Sequence, residues 1–325
     1  MKNDFGKPLM GRHVRPIFMS GAGARRDMYP KLAQNKNNEP YDLHMHSNCS
    51  DGSDSPAQVV READERGVTM LALTDHDNVL GVSEALSEAE RLGIRLLPSI
   101  EMDTEWTHEM HILGLDIDVN EQRMKDALFT AQKRRSERNA EIIAKLQRAG
   151  IDIRDCFEGE IIMATRTHIA KALVKGGYAA DMKEAFRGFL CKGCPGYYAV
   201  KRFTPEEVIG LILGAGGVPV LAHPMNGNAD PHKIAPMLKE LGLMGMEGYH
   251  PSLSPGDSVI LTSIARQLGL IVTCGSDYHG ANRPNVAPGQ TWRDNALLRE
   301  TRGFFEAREQ RTRADIEAGE RKHLA

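Results

Sequence analysis

No apolar run in this 325-residue chain approaches the roughly 20 residues needed to cross a bilayer. The N-terminus lacks the charged start, apolar middle and small-residue cleavage site of a secretory signal. An excess of one charge is missing too: the formal net charge is -3, which argues against a dedicated nucleic-acid binder, DNA included. Five cysteines, Cys49, Cys156, Cys191, Cys194 and Cys274, form no even disulfide framework of the small secreted kind. Cys191-Lys192-Gly193-Cys194 has C-x-x-C spacing, but the second pair that a structural zinc site needs is absent and no thioredoxin-like context surrounds it. These absences lead us to expect a soluble, cytoplasmic protein without a membrane partner, long enough to bury one large α/β core or two ordinary ones.

What is present is a strand rich in histidine. Along Tyr41-Asp42-Leu43-His44-Met45-His46 alternate side chains share a face, so Leu43 and Met45 point one way and Asp42, His44 and His46 the other. Surface strands tolerate histidine, and this segment alone decides nothing. A rhythm of strands and helices follows it. Ser55-Pro56-Ala57-Gln58 offers an N-cap, a proline at the first helical position and a capping box, and Gly67 ends that helix. Strand Met70–Leu73, a helix from Val82 to Leu92 stopped by Gly93, and a strand through Leu96 and Leu97 come next. The alternation returns with strands at 218–222, 244–247 and 270–274, which implies a parallel sheet or barrel. Residues 119–202 break it with a long helical stretch from Glu121 to Ala149 and shorter helices near 169–174 and 182–190, read as a helical insertion over the barrel mouth. The expected organisation is a mobile tail over 1–38, barrel segments at 39–118 and 203–290 flanking the 119–202 cap, and a charged extension over 291–325.

The chemistry collects where strands end. Leu71-Ala72-Leu73 runs into Thr74-Asp75-His76-Asp77, Leu96-Leu97-Pro98-Ser99-Ile100 into Glu101, and Ala222 into His223-Pro224; His111 opens another strand, and Cys274 leads into Gly275-Ser276-Asp277-Tyr278-His279. Singly, each histidine is a turn or core residue and each Asp an Asx-turn or cap. Jointly, six histidines and three carboxylates at one edge of a barrel point to metal.

The order H-x-H-x-x-x-x-D-G (His44 to Gly52), T-D-H-D, Glu101, His111-Ile112-Leu113-Gly114, A-H-P (Ala222 to Pro224) and G-S-D-x-H (Gly275 to His279) resembles the polymerase and histidinol phosphatase (PHP) family, over about residues 40–285. The resemblance implies an α/β fold, a distorted (β/α)7 PHP barrel with an inserted α-helical cap, and up to three divalent ions, Mn, Fe or Zn. The branch it most resembles is the stand-alone phosphoesterase group of nucleoside 3',5'-bisphosphate phosphatases and 5'-3' exoribonucleases. By position, one ion takes His44, His46, Glu101 and Asp277; a second shares Glu101 and adds His111 and His223; a third takes Asp51, His76 and His279. A mixed imidazole and carboxylate set suits Zn, Mn or Fe better than Mg or Ca. The activity so implied is hydrolysis of a small organic phosphate, a nucleotide, sugar phosphate or short RNA end, by a metal-bridging hydroxide with release of inorganic phosphate.

Asp75, Asp77 and His250 are candidates for leaving-group protonation, or for orienting a ligand imidazole. In the resembling branch the insertion contributes phosphate-binding cations, and Arg166-Thr167-His168 stands at a helix start to do so, with Tyr249 and His250 lining the same mouth. Two departures concern the substrate. Relatives reading G-K-P-x-Y have a lysine where this chain has Cys194, and relatives reading A-H-P-G-R have a cation where Met225-Asn226 stand here. A cyclic phosphodiester, opened and then cleaved to phosphate, is therefore an alternative substrate, and a non-catalytic metal-binding module an alternative role. A carbon-nitrogen hydrolase on a related barrel would place a bridging lysine at a strand end, and none stands there.

Overall fold

The computed structural model describes residues 39–106, 110–157, 164–226, 230–293 and 295–323, so the tail over 1–38 lies outside the described residues. The strands are short: β1 (Tyr41–Asp42), β2 (Met70–Leu73), β3 (Arg95–Pro98), β4 (Ile100–Asp103), β5 (His111–Leu115), β6 (Val218–Leu221), β7 (Gly245–Tyr249) and β8 (Ile271–Cys274). They form one sheet in the order β1-β2-β3 and another in the order β4-β5-β6-β7-β8. Only Ser99 separates β3 from β4, so a single bent strand passes from one sheet to the other. The opposite seam is closed by Leu43 N–H donating to Cys274 O at 3.1 Å, Asp277 N–H to His44 O at 2.8 Å and a bridge between Met45 and Tyr278. Counting the bent strand once gives seven positions around a closed wall.

The wall is mixed where the alternation predicts parallel pairing. β4 pairs antiparallel with β5, and β5 antiparallel with β6. The first inversion follows from the short link between Asp103 and His111, which leaves no room for a crossover helix. The second follows from the whole helical segment being inserted between β5 and β6, a connection long enough to return in either direction. The remaining pairs are parallel.

Local signals set the helices. Helix α1 (Pro56–Glu65) begins with the Ser55/Gln58 capping box, and α2 (Val82–Leu92) ends on Gly93 at φ +74°. The long helix α3 (Gln122–Arg148), α4 (Arg166–Lys175) and α5 (Met182–Ala185) form the inserted segment. This segment has an apolar cluster of its own, which includes Ile142, Leu146, Ile169, Leu173 and Leu190. Full burial of a side chain such as Leu146 contributes about 1.5–3 kcal/mol, and the cluster holds these helices to one another. Helices α6 (Pro205–Gly214) and α8 (Pro255–Leu268) each carry a proline at the start and a capping box, Thr204/Glu207 and Ser254/Asp257; α7 (Pro231–Glu240) lies between them. The last helix, α9 (Ala296–His323), is docked at its start: Leu298 and Phe305 are fully buried, and Thr301 donates to Val272 O at 2.7 Å. No helix among the described residues is long and apolar enough to cross a membrane.

Candidate metal centre

Nine side chains named from the sequence, His44, His46, Asp51, His76, Glu101, His111, His223, Asp277 and His279, meet at one end of the barrel. Overlapping groups of them place ligand atoms within 4.8 Å of one another. The opening segment is paired as a strand only over Tyr41–Asp42, yet its alternation persists: Leu43 and Met45 enter apolar clusters while His44 and His46 face the centre. Asp42 does not join them. Its carboxylate accepts from the backbone N–H of His44, Ser276 and Gly289 and ties the segment to the loop after β8.

Glu101 is the hub, 1% exposed. Its Oε1 lies 2.8 Å from His111 Nδ1 and 3.0 Å from His223 Nε2. Its Oε2 lies 3.4 Å from His44 Nε2, 3.2 Å from His46 Nε2 and 3.1 Å from His76 Nδ1. One carboxylate thus turns its two oxygens to two different sets of imidazoles. Asp277 Oδ1 completes the first set at 3.7 Å from His44 Nε2 and 3.4 Å from His46 Nε2. On the far side, Asp51 Oδ1 stands 3.1 Å from His279 Nε2 and 3.8 Å from His76 Nε2.

Two of these atoms are close without being bonded. Asp51 Oδ1 and His76 Nδ1 are buried with no aligned hydrogen-bond partner, and the Nε2 atoms of His44 and His46 have mainly each other and carboxylates to face, at 3.1 Å between the two nitrogens. Converging lone pairs that satisfy one another poorly are what a site shaped for cations presents. Ionisation is distorted accordingly. Burial disfavours the charged form of Glu101, but His76, His44 and His111 outweigh it and hold the carboxyl well below its usual range. Burial likewise opposes charge on His76, while Glu101 and Asp51 outweigh it and push the imidazole up to about 10. The carboxylates demand positive charge here, and dications would supply it with the imidazoles neutral. The donor set fits divalent metal.

Backbone strain marks the same end of the barrel. His223 at φ +29°, Asp277 at φ +53° and Asp77 at φ +50° are non-glycine residues in the left-handed region, at a cost of about 1–3 kcal/mol each.

The other sequence candidates divide. His250 stands in the centre, with Nε2 3.3 Å from Asp277 Oδ2 and Nδ1 2.8 Å from Ser252 Oγ. Asp77 stands beside Glu101, donating its N–H to Glu101 O at 2.9 Å, paired with the buried Arg135 and accepting from Asp103 N–H at 3.3 Å. Asp75 lies away from the ligand atoms and braces their loop, accepting from Ser47 N–H at 2.8 Å and from the hydroxyls of Ser47 and Ser50 at 2.6 Å each. Tyr249 packs on the barrel core and its hydroxyl takes a hydrogen bond from Asn295 at 3.1 Å. Arg166 opens α4 with its guanidinium 5.9 Å from the Phe186 ring centroid. His168, whose Nδ1 accepts from Thr165 N–H at 3.1 Å, lines a cleft of about 520 Å³ together with Asn48, Gly52, Ser53, Lys171 and Asn282. The cleft borders the loop that carries Asp51.

Two carboxylates escaped the sequence reading. Glu247, fully buried on β7, accepts from His223 N–H at 2.6 Å through Oε2, and its Oε1 sits 3.0 Å from His44 Nδ1, a contact that turns His44 Nε2 toward the centre. Asp103 lies 3.5 Å from His76 Nδ1 and 3.3 Å from His111 Nε2. It is two residues beyond Glu101 on one strand and so on the same face, a signal the period of a strand does carry.

A closed mixed barrel with imidazoles and carboxylates at its mouth defines a metal-dependent hydrolase. The chain's residues 42–187 match the PHP domain. It is 36% identical over 78% of its length to the 3',5'-nucleoside bisphosphate phosphatase of Chromobacterium violaceum, covering 89% of that protein. It is 37% identical over 74% of its length to the 5'-3' exoribonuclease Rnm of Salmonella typhimurium, covering 85% of it. A phosphoribosyl 1,2-cyclic phosphate 1,2-diphosphodiesterase of Eggerthella lenta is 32% identical over 74% of the chain and 94% of that enzyme. Among solved structures, an amidohydrolase from Chromobacterium violaceum with bound sulfate and no metal superposes with a TM-score of 0.76 at 33% identity, over 83% of this chain and 96% of that one. The chain belongs to the PHP domain family, and is a metal-dependent phosphoesterase of that family.

Proposed function

We propose that the protein hydrolyses a small organic phosphate, a nucleotide or a short RNA end, and releases inorganic phosphate. The observation that carries this reading is Glu101, whose two oxygens face separate imidazole sets as a carboxylate shared between two ions would. His44, His46 and Asp277 would hold one ion with it, His111 and His223 another, and Asp51, His76 and His279 a third. Bound Mn, Fe or Zn supplies Lewis acidity and an ionised water near neutral pH. The protein's own groups do the rest. Glu247 and the carbonyl of Asp277, 2.8 Å from His279 Nδ1, fix which nitrogen each imidazole presents. His250 presents Nε2 within the centre, beside Asp277, and serves as proton donor to the departing oxygen. Arg166 and His168 draw the phosphate toward the cleft beside Asp51.

A second reading is opening of a cyclic phosphodiester followed by phosphate release. It is favoured by Cys194 and Met225-Asn226, which leave two cation positions of the relatives unfilled, and by the similarity to the cyclic phosphate diesterase. The test is phosphate release by manganese-loaded protein from nucleoside 3',5'-bisphosphates, sugar monophosphates and five-membered cyclic phosphates. Bisphosphate turnover without cyclic turnover supports the first reading, cyclic turnover supports the second, and inertness toward every ester sinks both.

A further inference from the structure

Cys194 and Asn226 bring no cation to the mouth, and an arginine on another loop stands beside the metal-ligand cluster. We propose that Arg283 binds the phosphoryl group of the substrate at the metal centre. The inference rests on the phosphoesterase reading and adds to it a residue that neither the ligand motifs nor the inserted helices contain.

Arg283 follows Asp277 by six residues and reaches back to it, with Nη1 touching Asp277 Oδ2 and lying 3.4 Å from Asp277 O. The other oxygen of Asp277 faces His44 and His46, so the guanidinium borders the centre itself. Its backbone is held there. Ala281 N–H donates to Ser53 Oγ and Asn282 Nδ2 to Asp51 O, both at 2.7 Å, which locks this loop to the one carrying Asp51. Gly280, at φ +60°, makes the lock possible, because a Cβ there would stand 2.1 Å from Ser53 Oγ.

Exposure separates Arg283 from neighbouring arginines. Arg135 is 7% exposed and committed to Asp77, and Arg202 is 26% exposed and 3.4 Å from Asp103. The Arg283 side chain is 47% exposed, against 6% for the Asp277 carboxylate it pairs with, so part of it is open to solvent beside the centre. A guanidinium carries five N–H donors in a planar fork matched to two phosphate oxygens. Among the described residues this one is hydrogen-bonded to Asp277 alone. Once a metal ion shares that carboxylate, two cations compete for one anion, and a phosphate oxygen offers the guanidinium its natural partner.

Calorimetric titration of inorganic phosphate into manganese-loaded wild-type protein, Arg283→Ala and Arg283→Lys tests this, with the metal content of each sample measured by mass spectrometry. The expected result is unchanged metal content, phosphate affinity lower by about 10- to 100-fold in Arg283→Ala, and an intermediate value in Arg283→Lys, which keeps charge without the fork. Wild-type affinity in Arg283→Ala overturns the proposal. So does loss of metal in parallel with phosphate affinity, which would make Arg283 a residue that only positions Asp277. Failure of loaded wild-type protein both to bind phosphate and to release it from any ester overturns the phosphoesterase reading as well; ester turnover with an indifferent Arg283→Ala overturns this inference alone.

Discussion

Glu247 and His44 make a pair in which the carboxylate fixes the imidazole and the imidazole turns Nε2 toward Glu101 and the candidate metal site. Glu247→Gln keeps the volume but removes the charge opposite Nδ1, and should weaken metal binding by about 10- to 100-fold, measured by competition with a chelator. Unchanged metal affinity would show that the pair is only packing. The proton-donor role proposed for His250 has its own signature: in His250→Gln, esters with alcohol leaving groups should lose about 100- to 10,000-fold in turnover while nitrophenyl esters, whose leaving group needs no proton, lose far less. Equal losses would assign His250 to structure. At this scale the sequence was generous with imidazoles, because His44, His46, His76, His111, His223 and His279 stand at strand ends where few neutral explanations hold together. It was sparing with Glu247, one carboxylate inside the apolar run Gly245–Tyr249, since nothing local says that its charge will meet a histidine from β1's side of the barrel.

The elements deliver these residues through tight approaches. Gly275 ends β8 where a Cβ would lie 2.3 Å from both Glu247 Oε1 and His44 Cβ, so Gly275→Ala should lower the metal content and the melting temperature together, as read by mass spectrometry and thermal unfolding. Helix α3 reaches the centre through Arg135, and Arg135→Met would leave the Asp77 carboxylate buried without its partner. The expected cost is about 3–5 kcal/mol in urea unfolding, and a loss below about 1 kcal/mol would contradict the pairing. Helix limits such as Ser55/Gln58 and Gly93 were legible because caps are local chemistry. The antiparallel pairs flanking β5 were not. Strand direction there depends on how connections return, and the β5-to-β6 connection contains the entire inserted segment.

Over the whole molecule, the charged stretch from residue 291, which the density of Arg and Glu marks as a solvated helix or a frayed extension, forms helix α9 with a docked start: Leu298 and Phe305 are buried, Arg302 pairs with Glu39 at 2.6 Å, and Arg308 with Asp116 at 3.2 Å. A few contacts spaced along a charged helix are hard to separate from chance in composition alone. Deleting residues 296–325 should therefore lower the melting temperature clearly and promote aggregation; an unchanged melting curve would show that the docking contributes nothing. A site assembled from residues this far apart in sequence would hold ions only in the folded barrel, so chelation should lower the melting temperature of loaded protein and metal should restore it. The central proposal is that Glu101 is a carboxylate shared between ions at the mouth of the barrel. The direct measurement is anomalous diffraction at the manganese edge from crystals of the loaded protein. The account predicts anomalous peaks on both sides of the Glu101 carboxylate, among the histidines it faces; a single peak, or peaks away from Glu101, would contradict it.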